Sequence, residues 1–247
     1  MDRFSGLLRW VFIASALPAL TYGGMTAAFR MDHLSFGAIF SQLSWLVPAL
    51  LGGGAIALLV GLILLFVKAP LTGLMSILAG LVSLAMGFGP IEMRRQAQLV
   101  PAIHDISTDV EDPPAFVATA ALRKKTDNPA AYDTEQTQAQ LDSYPDLETI
   151  VLSVESAAAF EACLAAVKQQ GLELVEANEA EGRIEATATT RWFGFKDDVV
   201  IRVRAGPGGG ALVDIRSKSR VGMSDVGANA IRIRQLRDRI KASTGDV

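Results

Sequence analysis

The sequence predicts a helical membrane anchor of three transmembrane helices followed by an α+β soluble domain, an antiparallel-rich sheet with two helices packed on one face. Three observations predict it. Residues 1–97 hold three long apolar runs nearly free of charge; residues 147–247 alternate apolar and polar side chains at strand spacing; and two stretches in that second part carry apolar residues at helical spacing. Between them, residues 98–146 hold nine acids against Arg123, Lys124 and Lys125, so most of the net charge of −3 arises there. The expected division is therefore an anchor over 1–97, an acidic extended linker over 98–146 partly docked on the domain, and the domain itself over 147–247.

Leu7–Phe29, Leu43–Val67 and Leu71–Ile91 contain no Asp, Glu or Lys before the flanks, and each is long enough, at about 1.5 Å per residue, to cross a hydrocarbon core of about 30 Å. Arg9 lies at an end, where it can snorkel. A secretory signal is disfavoured because two further spans follow and the first run is too long for one. Small residues at Gly52, Gly53, Gly54, Ala55, Gly73, Ser76, Ala79, Gly80 and Ser83 suit close helix approach in lipid. Pro18 and Pro48 predict kinks, and the short Lys68-Ala69-Pro70 link predicts a tight hairpin. No ionisable side chain sits mid-span, which argues against an ion path or proton relay. Lys and Arg flank both sides equally, but Arg3 and Arg9 precede the first span and only Arg30 follows it. That predicts a cytoplasmic N-terminus, so three spans place the rest outside the cytoplasm of a bacterial inner membrane.

Residues 100–116 carry prolines and Asp/Ser/Thr residues that favour an extended, turn-rich path, with Val100, Ile103, Ile106 and Val110 available to dock. Thr134–Leu141 predicts a short helix ending before Pro145. Thr149–Val154 alternates as a strand. Ser156 is placed to cap a helix bearing Phe160, Cys163, Leu164 and Val167, which Gly171 ends. Strands follow over Leu172–Glu176, Arg183–Arg191, Asp198–Arg204 and Ala211–Ser217, broken by Glu181-Gly182 and the Gly206–Gly210 loop. A last helix from about Asp225 carries Val226, Asn229, Ile233, Leu236 and Ile240 on one stripe. Asn229 on that stripe needs a hydrogen-bond partner at the nearby loop or a strand end.

The run IRSKSRVGMSDVGANAIRI from Ile215, together with ATATTRWFGFKDDVVIRV from Ala186 and IHDISTD from Ile103, resembles the uncharacterised bacterial and plastid family known as domain of unknown function 1499. The likeness spans roughly the last 150 residues. Many relatives open with Pro-Asn-Cys-Val-Ser-Ser, which HDISTD replaces here, so a role for that cysteine does not transfer. The resemblance implies fold and boundaries but no reaction.

The lone Cys163 falls on an apolar helix face and reads as a small buried hydrophobe. With two histidines far apart, no Gly-x-Ser-x-Gly elbow and no phosphate loop, the sequence offers no catalytic set, no metal-ligand cluster and no cofactor motif. The densest polar stretch is the last strand-to-helix junction. There Arg216, Ser219, Arg220, Asp225 and Asn229 form a candidate ligand-binding set, with the arginines and the helix N-terminus suited to an anion. The competing expectation is that Glu185, Arg191, Arg202, Arg204, Asp214 and Arg216 form a solvated face of ion pairs. Function is thus read as a membrane-anchored binding or envelope-maintenance module, whose partners are the lipid bilayer and an envelope lipid, glycan or protein. An enzyme at the junction, or an anionic-lipid or nucleic-acid binder using the basic last helix, are the alternatives. A location outside the cytoplasm argues against nucleic acid.

Overall fold

The computed structural model describes residues 3–67 and 69–246. Lys68 and the side chains of Arg3 and Arg9, which enter the orientation argument, lie outside the described residues. The chain divides into two compact units, Met1–Gln96 and Ala97–Val247.

In the first unit α1 (Arg3–Arg30), α2 (Phe36–Phe66) and α3 (Pro70–Ala97) are helices long and apolar enough to cross a membrane. Pro18 and Pro48 lie inside continuous helices. The small residues of α2 and α3 face each other so closely that a Cβ on Gly61 would stand 2.8 Å from the Gly73 carbonyl, and one on Gly80 2.8 Å from that of Gly54. Ser76 donates to the Ala57 carbonyl at 2.7 Å. Backbones this near gain dispersion contacts and a hydrogen bond that larger side chains would prevent. Gly52 and Ala55, expected in the same seam, are instead exposed on the outer side.

The second unit is built on one antiparallel sheet, ordered β3 (Glu173–Asn178), β4 (Arg183–Thr189), β5 (Lys196–Ala205), β6 (Ala211–Ser219). Two short strands share the outer edge of β6. β2 (Ile150–Leu152) pairs with Ala211–Val213 and β1 (Asp105–Ser107) with Arg216–Lys218, while Thr108 exchanges bonds with Ile215 between them. The alternation in the sequence predicts five strands; the sixth, β1, comes from the segment expected to be a linker. Its three residues are too few to show a period of two.

Alternation puts Ile184 and Ala186 of β4, Val199, Ile201 and Val203 of β5, and Val213 and Ile215 of β6 on one face. These pack in a single core with Phe160, Cys163 and Val167 of α5 (Ser156–Gln169) and Ile233, Leu236 and Ile240 of α6 (Ala228–Thr244). Ile103 and Ile106 join that core from the β1 edge. The short helix α4 (Thr137–Ser143) follows a single 3-10 turn at Thr134–Gln136, and its Gln140 exchanges two hydrogen bonds with the Ser107 backbone.

Two helix starts differ from expectation. Ser156 is the first residue of α5, capped by Glu155 without a side-chain bond. The last helix begins at Ala228 rather than near Asp225, because Val226 (φ 54°) and Gly227 (φ 80°) are both left-handed and break the helical path.

Candidate functional site

The strand face opposite the helices carries the charges, and the expectation of a solvated face of ion pairs holds only at its rim, where Arg191 is exposed and Arg202 and Arg204 are half-buried; at its centre it is overturned. Glu185, Asp198, Asp214 and Arg216 are at most 2 % exposed. The chain from Asp109 to Tyr132 lies over them and supplies partners to Glu185, Asp198 and Arg216.

Each acid on that face is held by several donors. Asp105 receives both ends of the Arg216 guanidinium at 2.8 Å and the Lys218 ammonium at 3.0 Å. Burial alone would raise the Asp105 carboxyl, but Arg216 and Lys218 more than offset it and hold it below the usual carboxylate range. Burial pushes Lys218 down, with Asp105 opposing. Arg216 also donates to the Pro114 and Ala130 carbonyls and stacks between Phe116 and Tyr132, 4.6 and 5.2 Å from the ring centres. Asp198 takes the Arg220 guanidinium at 2.7 Å and Arg123 at 2.9 Å. Asp214 accepts from Arg202, Arg204 and the Thr149 hydroxyl. Glu185 accepts the backbone N–H groups of Val117, Ala118 and Thr119, the Thr119 hydroxyl and Arg183. Burial would raise its carboxyl; these donors lower it below the ordinary range.

The five candidate junction residues fall on two sides of the sheet. Arg216 and Arg220 point into the covered polar face, and Arg220 reaches Asp198 on β5, Thr187 on β4 and the Leu122 carbonyl. The expectation that the arginines and the helix N-terminus share one anion site is thereby corrected, because residues 216, 218 and 220 along the extended chain share the side of the sheet away from α6. Ser219, Asp225 and Asn229 lie on the helix side. Asn229 is wholly buried, accepting from Ser217 and Arg232 and donating to the His104 carbonyl and Ser219. Asp225 accepts from the N–H groups of Gly227 and Asn229 at 2.7 and 2.9 Å, two donors that α6 leaves without helical partners. Burial raises its carboxyl although those donors oppose the shift.

Sequence reasoning missed Asp105, Arg123, Glu185, Asp198 and Asp214 as members of one network. A signal was present: residues 98–146 carry an excess of acid, and the strand face they cover carries an excess of arginine and lysine. His104, beside Asp105, is buried. The Gln136 amide sits 2.9 Å from its Nδ1, and burial with the Lys218 charge holds its imidazole below the usual range. Cys163 is buried and its thiol is pushed up to about 12 by burial, which leaves it protonated and unreactive. Among the described residues no group of three His, Cys, Asp or Glu side chains is placed to hold a metal ion.

In this network the basic groups of the strands meet acids of the same chain, an arrangement that fastens a covering segment to a sheet. Three basic residues of α6 also meet acids, Arg232 with Asp197 and Arg234 and Arg237 with Asp146. No curated protein matches the sequence. The family described as "Protein of unknown function (DUF1499)" matches residues 105–240, from the first strand to the end of the last helical stripe. With more than half of its 247 residues matched, covering the whole sheet, α5 and most of α6, the chain belongs to the DUF1499 family.

Proposed function

We propose that the chain is a membrane-tethered, non-catalytic binding module of the bacterial cell envelope. Its three spans hold it in the inner membrane with the N-terminus in the cytoplasm and residues 98–247 in the periplasm. What supports the tether is the three long apolar helices, an odd number of crossings that puts the two termini on opposite sides. What supports a binding role over catalysis is one observation, the commitment of the buried ionisable groups. Asp105, Glu185, Asp198 and Asp214 each already accept several internal donors, which leaves them poor general bases. In this reading Arg216 and Arg220 brace the covering segment, Asn229 and Asp225 fix the start of α6, and Ser219 joins the two.

Alkaline phosphatase fused after Val247 tests the placement, since it folds to activity only outside the cytoplasm. High activity is expected, with none from a cytoplasm-only reporter at the same position. The reverse pattern would place the domain in the cytoplasm and sink the periplasmic assignment.

A further inference from the structure

We infer that the end of the sheet where the chain joins from the third span is a docking surface for an anionic lipid headgroup layer; this rests on the tethered reading above. Four loops meet there. The Ile103 carbonyl accepts from Asp225 N, Asn128 donates to the Gly222 carbonyl, Arg220 donates to the Leu122 carbonyl, and Arg220 N donates to the Lys196 carbonyl at the foot of the β4–β5 hairpin. Together these bonds make residues 98–104, 120–130, 190–196 and 219–225 one contiguous end.

That end exposes large apolar side chains among basic ones. Met223 is 82 % exposed, and Leu122 and Trp192 are each 52 % exposed. Lys124, Lys125, Arg191 and Lys196 are exposed beside them. The acids in these loops are Asp127 and Asp225, both half-buried and engaged with backbone N–H groups. The opposite end of the sheet, at the β3–β4 turn and the start of α5, instead exposes Glu155, Glu179 and Glu181. The unit is therefore polarised, although residues 98–247 as a whole carry more acid than base.

Tryptophan, methionine and leucine rimmed by lysine and arginine match the headgroup region, where apolar tips enter and long basic side chains keep their charges wet. Anionic lipid attracts the basic end and repels the acidic one. Chain length agrees. The last apolar span ends at Ile91 and Val100 packs against Gly227, so the intervening residues reach no more than about 30 Å even when extended. A protein partner would need no such proximity to a bilayer.

The test uses the full chain in lipid nanodiscs, with a fluorescent label at Met223→Cys or, at the far end, Ala180→Cys; native Cys163 is buried and stays unlabelled. Co-elution with lipid reads the tether separately. In discs of phosphatidylcholine with phosphatidylglycerol, spin-labelled lipid is expected to quench the Met223→Cys label severalfold more than the Ala180→Cys label, because the basic end faces the anionic headgroups and the acidic end faces away. Reversing Lys124, Lys125, Arg191 and Lys196 to Glu is expected to abolish the difference. Equal quenching at both sites, or a difference that survives charge reversal or persists undiminished in phosphatidylcholine alone, overturns the inference while leaving the tether standing. A chain that never enters discs sinks both.

Discussion

Asp198 and Arg220 illustrate how a charge can be buried in this domain. The carboxylate is wholly buried, and the fork of Arg220 and the tip of Arg123 meet it from β6 and from the covering segment. Removing Asp198 leaves two buried guanidiniums without their shared carboxylate, which costs about 3–5 kcal/mol, whereas removing Arg220 leaves Asp198 paired with Arg123 and costs less, about 1.5–3 kcal/mol. Arg220→Ala is therefore expected to lower the melting temperature by roughly 5 °C. Asp198→Ala should cost more, roughly 10 °C, and the double variant less than the sum. A fully stable Arg220→Ala protein that has lost its cellular activity would instead make Arg220 a ligand contact. His104 makes a separate prediction. Its imidazole is held below the ordinary value, so the unfolded chain binds the proton more readily than the folded one, and stability rises with pH through that window. The contribution is complete above about pH 6.5 and is lost as pH falls through the folded-state value. Denaturant titrations between about pH 5 and 7 should show that slope, and His104→Asn should flatten it. An unchanged slope in the variant would assign the effect to another group.

At the scale of elements, left-handed backbone sets two turns. Gly182, between β3 and β4, has φ 63°, and a Cβ there would stand 2.1 Å from the Val203 carbonyl. Gly182→Ala must move the β5 backbone as well as strain its own, so a loss of several kcal/mol, above the roughly 1 kcal/mol of an ordinary glycine turn, is expected in chemical denaturation. The start of α6 is the opposite case. Val226 holds a left-handed φ of 54°, which a β-branched residue adopts at a cost of about 1–2 kcal/mol. Val226→Asn should raise the melting temperature by a few degrees, because asparagine tolerates that conformation. A decrease would show that the half-buried valine side chain contributes more by packing than its backbone loses.

For the whole molecule, the covering segment is the part that makes one sheet face viable. Without residues 109–132, Glu185, Arg202 and Arg216 would lose the partners that this segment provides. Residues 98–247 expressed alone are expected to fold with one cooperative thermal transition, since core, covering segment and both helices lie within that stretch. Residues 147–247 alone are expected to aggregate or melt without a transition. A cooperative 147–247 fragment would show that the covering segment is ornamental to stability.

Sequence alone determined the three apolar helices, the four long strands, α5 and the stripe of α6, because each depends on a local period that neighbouring residues repeat. It also marked Asn229 as a buried amide in need of partners, since a polar residue on an apolar stripe is visible without the fold. Tertiary structure decided the rest. Whether Arg216 and Arg220 meet water or a carboxylate depends on what covers their face, and the chain that covers it, joined through Asp105 and Asp109, lies about a hundred residues upstream with no periodicity of its own. Burial of a charge is a property of a pair brought together across the chain, so alternation names the side of the strand and only the fold names the partner.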